Sequence, residues 1–232
     1  MTRLLLYVEG ETEESFVANV LSWHLYSWGY ASVSARPSGG IKPWPTARKE
    51  ILRNLTQDRG CVVSTIVDFY GLPMRDSGAW PGRAAAEKST VPQKAKTVED
   101  ALLSDIVNHM GSRFNPNRFV PYVMMHEFEA MLFSDCLKFC TLLGRVDLLP
   151  RFQAMRDAFA SPEEIDDSPL NAPSKRVETL VPSYRKPLHG TLGVLEIGLE
   201  TIRRECPHFR GWLERLESNR LVSAAGTSTQ TS

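Results

Sequence analysis

Acidic side chains follow three apolar segments of this sequence, each at the point where the segment ends. These acids and their neighbours are Glu9 after 4–8, Asp68 after 61–67, and His126, Glu127 and Glu129 after 119–125. In open parallel sheets, functional groups collect outside the carboxyl ends of the strands. Carboxylates that converge there repel one another and stay ionised together only beside a cation. Because no matching set of cysteine and histidine accompanies them, these oxygen ligands predict Mg²⁺ or Mn²⁺.

Each of these acids also has an ordinary structural interpretation. Glu9 could cap the following helix, Asp68 could close a turn with Gly71, and Glu127 could interact with a helix dipole. Only their joint occurrence at strand ends favours a metal site. Glu129 follows Glu127 by two residues, so a helix would point the two side chains apart. We therefore expect Glu127 as the third ligand and Glu129 as an alternate.

Hydrophobic periodicity predicts four strands that alternate with helices. The predicted strands are 3–8, 31–36, 61–67 and 119–125, and the predicted helices are 12–25, 46–55, 97–110 and 127–143. This alternation is typical of an α/β fold with a mainly parallel sheet flanked by helices. Pro121 has no amide hydrogen to donate, so we expect a bulge or an edge position there.

The second part of the chain lacks strand signals. Helical patterns at 152–159, 175–180, 192–205 and 209–216 predict an α-helical C-terminal extension packed on the sheet. The expected organisation is an α/β core over 1–145, a helical part over 146–218 and a disordered polar tail over 219–232. The segment 69–96 has no clear period and is predicted to be a loop that acts as a lid, a docking loop or a disordered insertion.

The composition excludes several classes of protein. Lys and Arg total 27, as do Asp and Glu, and this neutral balance excludes a broadly basic nucleic-acid coat. No apolar run reaches the ~20 residues of a membrane span. The apolar N-terminal stretch is also shorter than that of a secretory signal, so we expect a soluble, cytoplasmic protein with four buried free cysteines. A Gly-x-x-x-x-Gly-Lys-Ser/Thr motif is absent, which predicts that this chain does not itself hydrolyse ATP.

Basic residues are enriched in the C-terminal half of the chain. The candidates for contacts with a phosphodiester backbone are Lys175, Arg176, Arg185, Lys186 and His189. If these side chains fold over the strand ends, they would hold a phosphate backbone beside the metal. Lys175 is the expected group that stabilises charge on the phosphate. A solvated helix face is the alternative interpretation, and for Arg203 and Arg204 it is the preferred one.

Several motifs resemble those of known proteins. Val8-Glu9-Gly10, followed by Thr12, Glu13 and Phe16, resembles the opening motif of TOPRIM domains, which occur in topoisomerases, primases and overcoming-lysogenization-defect (OLD) nucleases. The segments 68–73, 126–133, 172–176 and 197–203 resemble a bacterial TOPRIM-like family catalogued as domain of unknown function 4276. Where TOPRIM domains carry Asp-x-Asp, this chain has Asp68-Phe69-Tyr70, so that Tyr70 replaces the second Asp.

This resemblance implies a TOPRIM/Rossmann-like fold, divalent metal for phosphodiester chemistry, and a neighbouring AAA-type ATPase in phage or plasmid defence. The predicted function is a metal-dependent nuclease in which Glu9, Asp68 and Glu127 hold the metal and act together with Lys175. The expected neighbours of these ligands, or alternates to them, are Glu13, Tyr70, His126 and Glu129.

Two other functions compete with the nuclease. The first is a non-catalytic effector or regulatory subunit of an ATPase complex, which the Tyr70 replacement favours. The second is a metal-dependent phosphohydrolase that acts on a small substrate. The pattern leaves DNA and RNA substrates open, and likewise monomeric and homo-oligomeric states.

Overall fold

The computed structural model describes residues 1–165 and 172–225 and contains a parallel sheet with helices on both faces. The strands are β1 (Arg3–Val8), β2 (Ser32–Pro37), β3 (Cys61–Asp68), β4 (Phe119–Val120) and β5 (Val123–Met124). Their order is β2-β1-β3-β4, with β5 also paired to β3, and these pairings are parallel. The predicted α/β class with a mainly parallel sheet is therefore confirmed.

Strand β3 lies at the centre of the sheet because its sequence is apolar and β-branched. All of its residues except Asp68 are buried. Central strands of parallel sheets are covered on both faces, so they require such a near-continuous apolar run. Strand β1 pairs along one side of β3, with Val8 opposite Ile66. The carboxyl ends of β1 and β3 therefore meet at one edge of the sheet.

The predicted strand 119–125 is interrupted at Pro121 and Tyr122, between β4 and β5. The Thr65 hydroxyl replaces the missing ladder bonds, because it accepts from the Tyr122 amide at 3.0 Å and donates to the Tyr122 carbonyl at 2.9 Å. Proline cannot donate a ladder hydrogen bond, so a side chain satisfies the buried backbone where the pairing breaks.

Helices cover the two faces of the sheet with separate apolar clusters. One face carries α3 (Trp44–Gln57), α4 (Arg83–Ala86) and α5 (Val91–Met110). On the other face, the first helix runs through α1 (Glu11–Phe16), a π-helical turn (Val17–Leu21) and α2 (Ser22–Ser27). The sheet is thus the middle layer of three, as its buried central strand requires.

The C-terminal extension is helical, as predicted. After α6 (Cys136–Leu142), which ends the predicted core, its helices are α7 (Leu149–Asp157), α8 (Pro173–Leu180), α9 (Lys186–Ile197), α10 (Leu199–Glu205) and α11 (Pro207–Ala225). They share the apolar cluster of α1 and α2, and Trp212 Nε1 in α11 donates to Ser64 Oγ in β3 at 2.9 Å. The extension is therefore packed directly on the sheet. Helix α11 includes 219–225, and residues 226–232 of the predicted tail lie outside the described residues.

Two predicted helices are each divided in the structure. The segment 127–143 is a 3₁₀ helix, Phe128–Ser134, followed by α6, because the Asp135 carboxylate caps α6 by accepting from the Lys138 amide at 3.0 Å. The segment 192–205 is divided into α9 and α10 at Gly198, whose φ of 87° favours glycine. Apolar periodicity continues across both divisions, so it could not indicate them.

The predicted loop 69–96 is largely ordered structure. It contains two 3₁₀ turns, Phe69–Gly71 and Asp76–Gly78, then α4 and the first turns of α5. Trp80 is buried in it, donates from Nε1 to the Lys42 carbonyl at 2.8 Å, and lies 5.0 Å from Trp44 between ring centroids. The prediction of a structureless loop was therefore wrong, because tertiary contacts of Trp80 order a segment without a regular period.

The thiols are inside the protein, as predicted. All four cysteines are buried and free. Burial raises the pKa of Cys136 to about 12 and that of Cys140 to about 11, so both stay protonated at neutral pH. Within the described residues, the helices lack the combination of length and apolar character that crossing a membrane requires.

We expect Thr65→Val to destabilise the protein, although valine suits a β-strand. The change leaves the buried Tyr122 amide and carbonyl without their partner, at a cost of about 1–3 kcal/mol for each group. Urea denaturation followed by circular dichroism measures the free energy of unfolding. Thr56→Val, at an exposed position of α3, is the matched control and should change it by less than about 0.5 kcal/mol. Equal stability of the two variants would contradict the bridging role of Thr65.

Candidate functional site

A cleft of about 300 Å³ lies at the carboxyl edge of the sheet, where the sequence predicted the acids to meet. Its lining residues are Glu9, Asp68, Tyr70, Gly71, His126, Glu127, Ala172, Pro173 and Lys186. The structure thus brings the three candidate metal ligands into one cleft, together with one of the candidate phosphate-binding cations.

Glu9 and Asp68 are neighbours because adjacent strands end in them. Val8 is opposite Ile66, so the chain leaves β1 beside the end of β3. The Gly40 amide donates to the Glu9 carbonyl at 2.9 Å, and the Gly40 φ of 90° permits this close return of the loop after β2. The backbone at Glu9 therefore lies between the end of β3 and the loop after β2, and Gly40 of that loop is hydrogen-bonded to it.

The two carboxylates each keep one buried oxygen without a hydrogen-bond partner among the described residues. These atoms are Glu9 Oε2 and Asp68 Oδ1. Burial is the main cause that raises the pKa of both groups, followed by repulsion from Glu13 on Glu9 and from Glu9 on Asp68. Glu13 is itself buried, and its Oε2 accepts from the Gly10 amide at 3.0 Å. An unsatisfied buried acceptor costs about 1–3 kcal/mol, which is a poor arrangement for a purely structural role.

Lys186 is the cation inside the cleft. Its Nζ lies 3.1 Å from Glu129 Oε2 and 3.7 Å from Glu127 Oε1. The Tyr184 hydroxyl donates to Glu129 Oε1 at 3.2 Å, and the Ser174 amide donates to Glu127 Oε2 at 3.0 Å. Burial lowers the pKa of Lys186, but the carboxylates around it raise it above its ordinary value. The ammonium therefore stays charged and neutralises part of the acidic cluster.

Glu127 and Glu129 reach the same ammonium, which differs from the expectation that they point apart. The expectation assumed an α-helix, whereas Glu127 is the N-cap of the 3₁₀ helix Phe128–Ser134. Glu129 is fully buried and engaged by Lys186 and Tyr184. Its observed place is therefore beside the cation: Glu129 Oε2 has no hydrogen-bond partner but forms an ion pair with Lys186.

Helix α9 brings Lys186 into the cleft by packing closely on α1 and on the 3₁₀ helix. Lys186 is the first residue of α9, after the N-cap Arg185. A Cβ at Gly193 would lie 2.5 Å from Leu132 Cδ2, and a Cβ at Gly190 would lie 3.3 Å from the Tyr184 hydroxyl. Only glycine permits this approach at position 193.

An aromatic wall borders the acids. The rings of Tyr70 and His126 are stacked, with centroids 5.5 Å apart and planes at 24°. The Tyr70 hydroxyl accepts from Lys94 Nζ at 3.3 Å. Arg83 fixes the turn after β3, since its Nε donates to the Phe69 carbonyl at 2.9 Å and its guanidinium lies 3.9 Å from the Phe69 ring centroid. Tyr70, which stands where TOPRIM domains carry a second Asp, is thus part of an ordered aromatic cluster.

The acids present a pair of free oxygens rather than a complete ligand set. Within 1–165 and 172–225, no three acids, histidines or cysteines are grouped as a metal site. Lys186 forms ion pairs with Glu127 and Glu129, so Glu9 Oε2 and Asp68 Oδ1 are the buried carboxylate oxygens that have neither a hydrogen bond nor an ion pair among the described residues. Mg²⁺ keeps several waters and commonly binds one or two carboxylates together with substrate phosphates. The Glu9 and Asp68 oxygens are thus of the chemical type that a hard divalent cation binds.

The other candidate cations do not line the cleft. Lys175 is exposed and pairs with Glu178 at 2.8 Å, and the Arg176 guanidinium lies 5.9 Å from the Phe159 ring centroid. The predicted place of Lys175 beside the acids is therefore taken by Lys186, because α8 turns Lys175 to its outer surface.

The start of α9 contains the remaining two candidates. The Arg185 amide donates to His189 Nδ1 at 2.8 Å, and the His189 ring lies 5.6 Å from that of Tyr184. Tyr184 was not predicted to contribute. A proline in the first turn places Lys186 at a helix start, but Pro173 does the same for Lys175, so no local signal singles out Lys186.

Without divalent metal, we expect Asp68→Asn to stabilise the protein at neutral pH. Because the folded state raises the pKa of Asp68, its contribution to stability is full below the unfolded pKa of about 4 and is lost as pH rises through the folded pKa. Asparagine does not ionise, so Asp68→Asn does not lose stability in this way as the pH rises. Its melting temperature in EDTA should therefore exceed that of the parent near neutral pH, with the difference shrinking toward about pH 4.

Asp58→Asn is the control, because it should change the melting temperature in the opposite direction. A hydrogen bond from Arg3 lowers the pKa of Asp58, so its carboxylate stabilises the fold above the unfolded pKa and ceases to do so as pH falls. Asp58→Asn should melt below the parent at neutral pH. Differential scanning fluorimetry across this pH range measures the melting temperatures of both variants. A melting temperature of Asp68→Asn below that of the parent at neutral pH would exclude an uncompensated charge at Asp68.

Comparison with solved structures finds similarity to the C-terminal region of the OLD protein from Xanthomonas campestris pv. campestris. The structure phased with iodine matches with a TM-score of 0.46 and 16% identity, covering 97% of this chain and 98% of that chain. The structure phased with platinum gives a TM-score of 0.45 at 16% identity and covers 97% of both chains. No curated protein matches the chain. The family model described as domain of unknown function 4276 matches residues 8–217, and the chain belongs to this family.

Proposed function

We propose that this protein is a divalent-metal-dependent phosphodiesterase that cleaves nucleic acid. The observation that carries the proposal is the pair of buried, unpartnered oxygens of Glu9 and Asp68 beside the Lys186 ammonium. Free carboxylate oxygens suit a hard divalent cation, and an adjacent ammonium suits the phosphate that such a cation activates. The motif resemblance to TOPRIM domains agrees with the same reaction.

The charged residues of the cleft have distinct roles in this proposal. Glu9 and Asp68 hold Mg²⁺ or Mn²⁺, and Glu127 is the third acid beside them. The bound ion supplies polarisation of a phosphoryl oxygen and a lower pKa for an attacking water. Lys186 donates to a phosphate oxygen and balances the negative charge that grows there in the transition state.

Glu129 and Tyr184 are positioning residues for Lys186. Their side chains contact each other at 3.2 Å, and Glu129 contacts the Lys186 ammonium at 3.1 Å. Burial and the Glu129 carboxylate raise the pKa of Tyr184, so its hydroxyl remains a donor. The ammonium is therefore held at the cleft before substrate arrives, which lowers the cost of ordering it during reaction.

Nucleic acid is the proposed substrate because an aromatic surface and cations surround the acids. The Tyr70 ring, stacked on His126, suits contact with a base. The cations at the start of α9 and in α8 suit the phosphates on either side of the reacting one. These are Arg185 at the N-cap of α9, and Lys175 and Arg176 in α8.

A partner ATPase is a further part of the proposal. The chain has no Gly-x-x-x-x-Gly-Lys-Ser/Thr motif of its own, and the motif resemblance implied an AAA-type ATPase encoded nearby in phage or plasmid defence. In this arrangement the ATPase hydrolyses ATP and this chain carries out the cleavage.

We expect Glu9→Gln and Asp68→Asn each to weaken metal binding without unfolding the protein. Each change removes a negative charge while keeping the size of the side chain, so the cleft loses affinity for a hard cation. Isothermal titration with MnCl₂ should show at least about a 10-fold weaker affinity. Cleavage of mixed single- and double-stranded DNA and RNA should fall in parallel.

Glu14→Gln is the matched control, since it lies in the same helical turn as Glu13 but does not line the cleft. It should bind metal and cleave like the parent. Melting curves of all three variants identify any loss of fold. A folded Glu9→Gln/Asp68→Asn double variant that still binds Mn²⁺ and cleaves normally would refute the site.

A second set of variants separates Lys186 from Lys175. Lys186→Met alone would leave Glu129 buried and unpaired, so the informative variant is Lys186→Met/Glu129→Gln, which removes both charges. Cleavage by this double variant should fall about 10²–10³-fold, as for loss of one donor to a transition-state oxyanion. Glu129→Gln alone keeps the ammonium and should lose less.

Lys175→Met serves as the exposed-lysine control. It should weaken substrate binding mildly, and the effect should shrink as the salt concentration rises. If Lys175→Met reduced kcat more than Lys186→Met/Glu129→Gln at high salt, the assignment of the phosphate-binding cation would be reversed.

A non-catalytic effector or regulatory subunit of the ATPase complex is the second candidate function. Its support is Tyr70, which stands in place of a second Asp and contacts Lys94 through its hydroxyl. The titration and the cleavage assay together distinguish the two functions. Metal binding without cleavage of any nucleic acid, both alone and with the ATPase, would favour the effector.

A further inference from the structure

Helix α9 is apolar on two opposite faces, although the described part of the chain covers only one of them. Its inward residues are Gly190, Gly193, Val194 and Ile197. Its outward residues Leu188, Leu192 and Leu195 are 51%, 41% and 43% exposed. A helix that is apolar all round is normally buried all round.

The three outward leucines form a single stripe. They are spaced by four and then three residues, which is the repeat of a helix–helix seam. In the described residues, no other helix exposes three large hydrophobic side chains. The outward face of α9 therefore has the pattern of a surface that packs on another helix.

The order of polar groups along α9 identifies that other helix. Donors lie at its beginning, in Arg185 and His189, and an acceptor lies near its end, in exposed Glu196. His189 Nδ1 accepts from the Arg185 amide at 2.8 Å, so the hydrogen of the neutral ring is on Nε2 and is available to a carboxylate. A partner helix must offer an acid beside the start of α9 and a donor beside its end.

An antiparallel second copy of α9 meets this requirement. With Leu192 against its own copy, Leu188 packs against the copy of Leu195, and His189 faces the copy of Glu196. A parallel copy would instead place equal groups side by side. A self-complementary surface of this kind is what a two-fold interface needs. We propose that the protein forms a two-fold symmetric dimer through antiparallel packing of α9.

This arrangement keeps Lys186 away from the centre of the interface. The 12 residues of α9 span about 18 Å, and the stripe is centred on Leu192, so Lys186 lies at the outer end of each helix in the pair. A single helix pair is a small interface, so we expect a reversible dimer of micromolar affinity.

Sedimentation equilibrium of the full chain, from about 1 to 200 µM, tests the proposal. The parent should approach twice its 26.1 kDa mass as its concentration rises. Leu192→Glu places two carboxylates together on the two-fold axis and should weaken dimerisation at least about 30-fold. Val146→Glu is the matched control, because Val146 is 51% exposed and lies outside α9. It should dimerise like the parent.

An exchange of polar groups tests the antiparallel order. His189→Glu and Glu196→Arg should each weaken the dimer, whereas the double variant His189→Glu/Glu196→Arg should restore it, because opposite charges then face each other again. Glutamate at position 189 also keeps an acceptor for the Arg185 amide. Circular dichroism verifies the helix content of each variant.

Three results would overturn the proposal. They are a parent that stays monomeric at every concentration, a dimer that Leu192→Glu leaves intact, and a double variant no stronger than its single variants. A stripe that binds only the partner ATPase would appear as a monomeric parent whose complex with the ATPase is lost in Leu192→Glu, and this also overturns it. The readout is mass, so the outcome is independent of nuclease activity.

Discussion

The arrangement of this protein depends on holding four carboxylates, Glu9, Asp68, Glu127 and Glu129, at or directly behind one cleft. The register of β1 and β3 places Glu9 beside Asp68, and burial with mutual repulsion raises the pKa of both. The chain offsets this charge with one ammonium, Lys186, which α9 delivers from the far part of the sequence. The C-terminal helices are therefore part of the site. Without them the acids would lack their counter-charge, and burying several like charges without one is costly.

The acids and the sheet could be predicted because their signals are local. An apolar, β-branched run that stops at Asp68 indicates a buried strand and its end, and the rules for parallel crossovers then place strand ends together. Nothing local distinguishes Lys186 from Lys175, since each is a lysine near the start of a helix. The choice between them is made by packing, because α9 approaches Leu132 closely through Gly193.

The mispredicted segment 127–143 had a consequence for the site. Periodicity reports which residues are buried, but it does not report which hydrogen bonds the backbone makes, so a 3₁₀ helix followed by α6 was predicted as one α-helix. In the 3₁₀ geometry, Glu127 and Glu129 both contact Lys186. This contact separates the four acids into two that are ion-paired with Lys186 and two, Glu9 and Asp68, whose unpartnered oxygens also have no ion pair among the described residues.

Helix α9 connects the cleft to the surface as one rigid element. Its first residue is Lys186, its inner face lies tightly against Leu132 at Gly193, and its outer face carries the leucine stripe. A close-packed contact resists gradual sliding, so a force on the stripe moves the whole helix. Because Coulomb energy varies as the inverse of distance, a shift of one ångström from 3.1 Å changes the Lys186–Glu129 interaction substantially. For a partner that prefers one position of α9, the proposed dimer included, this contact is the point at which its binding would act on the cleft.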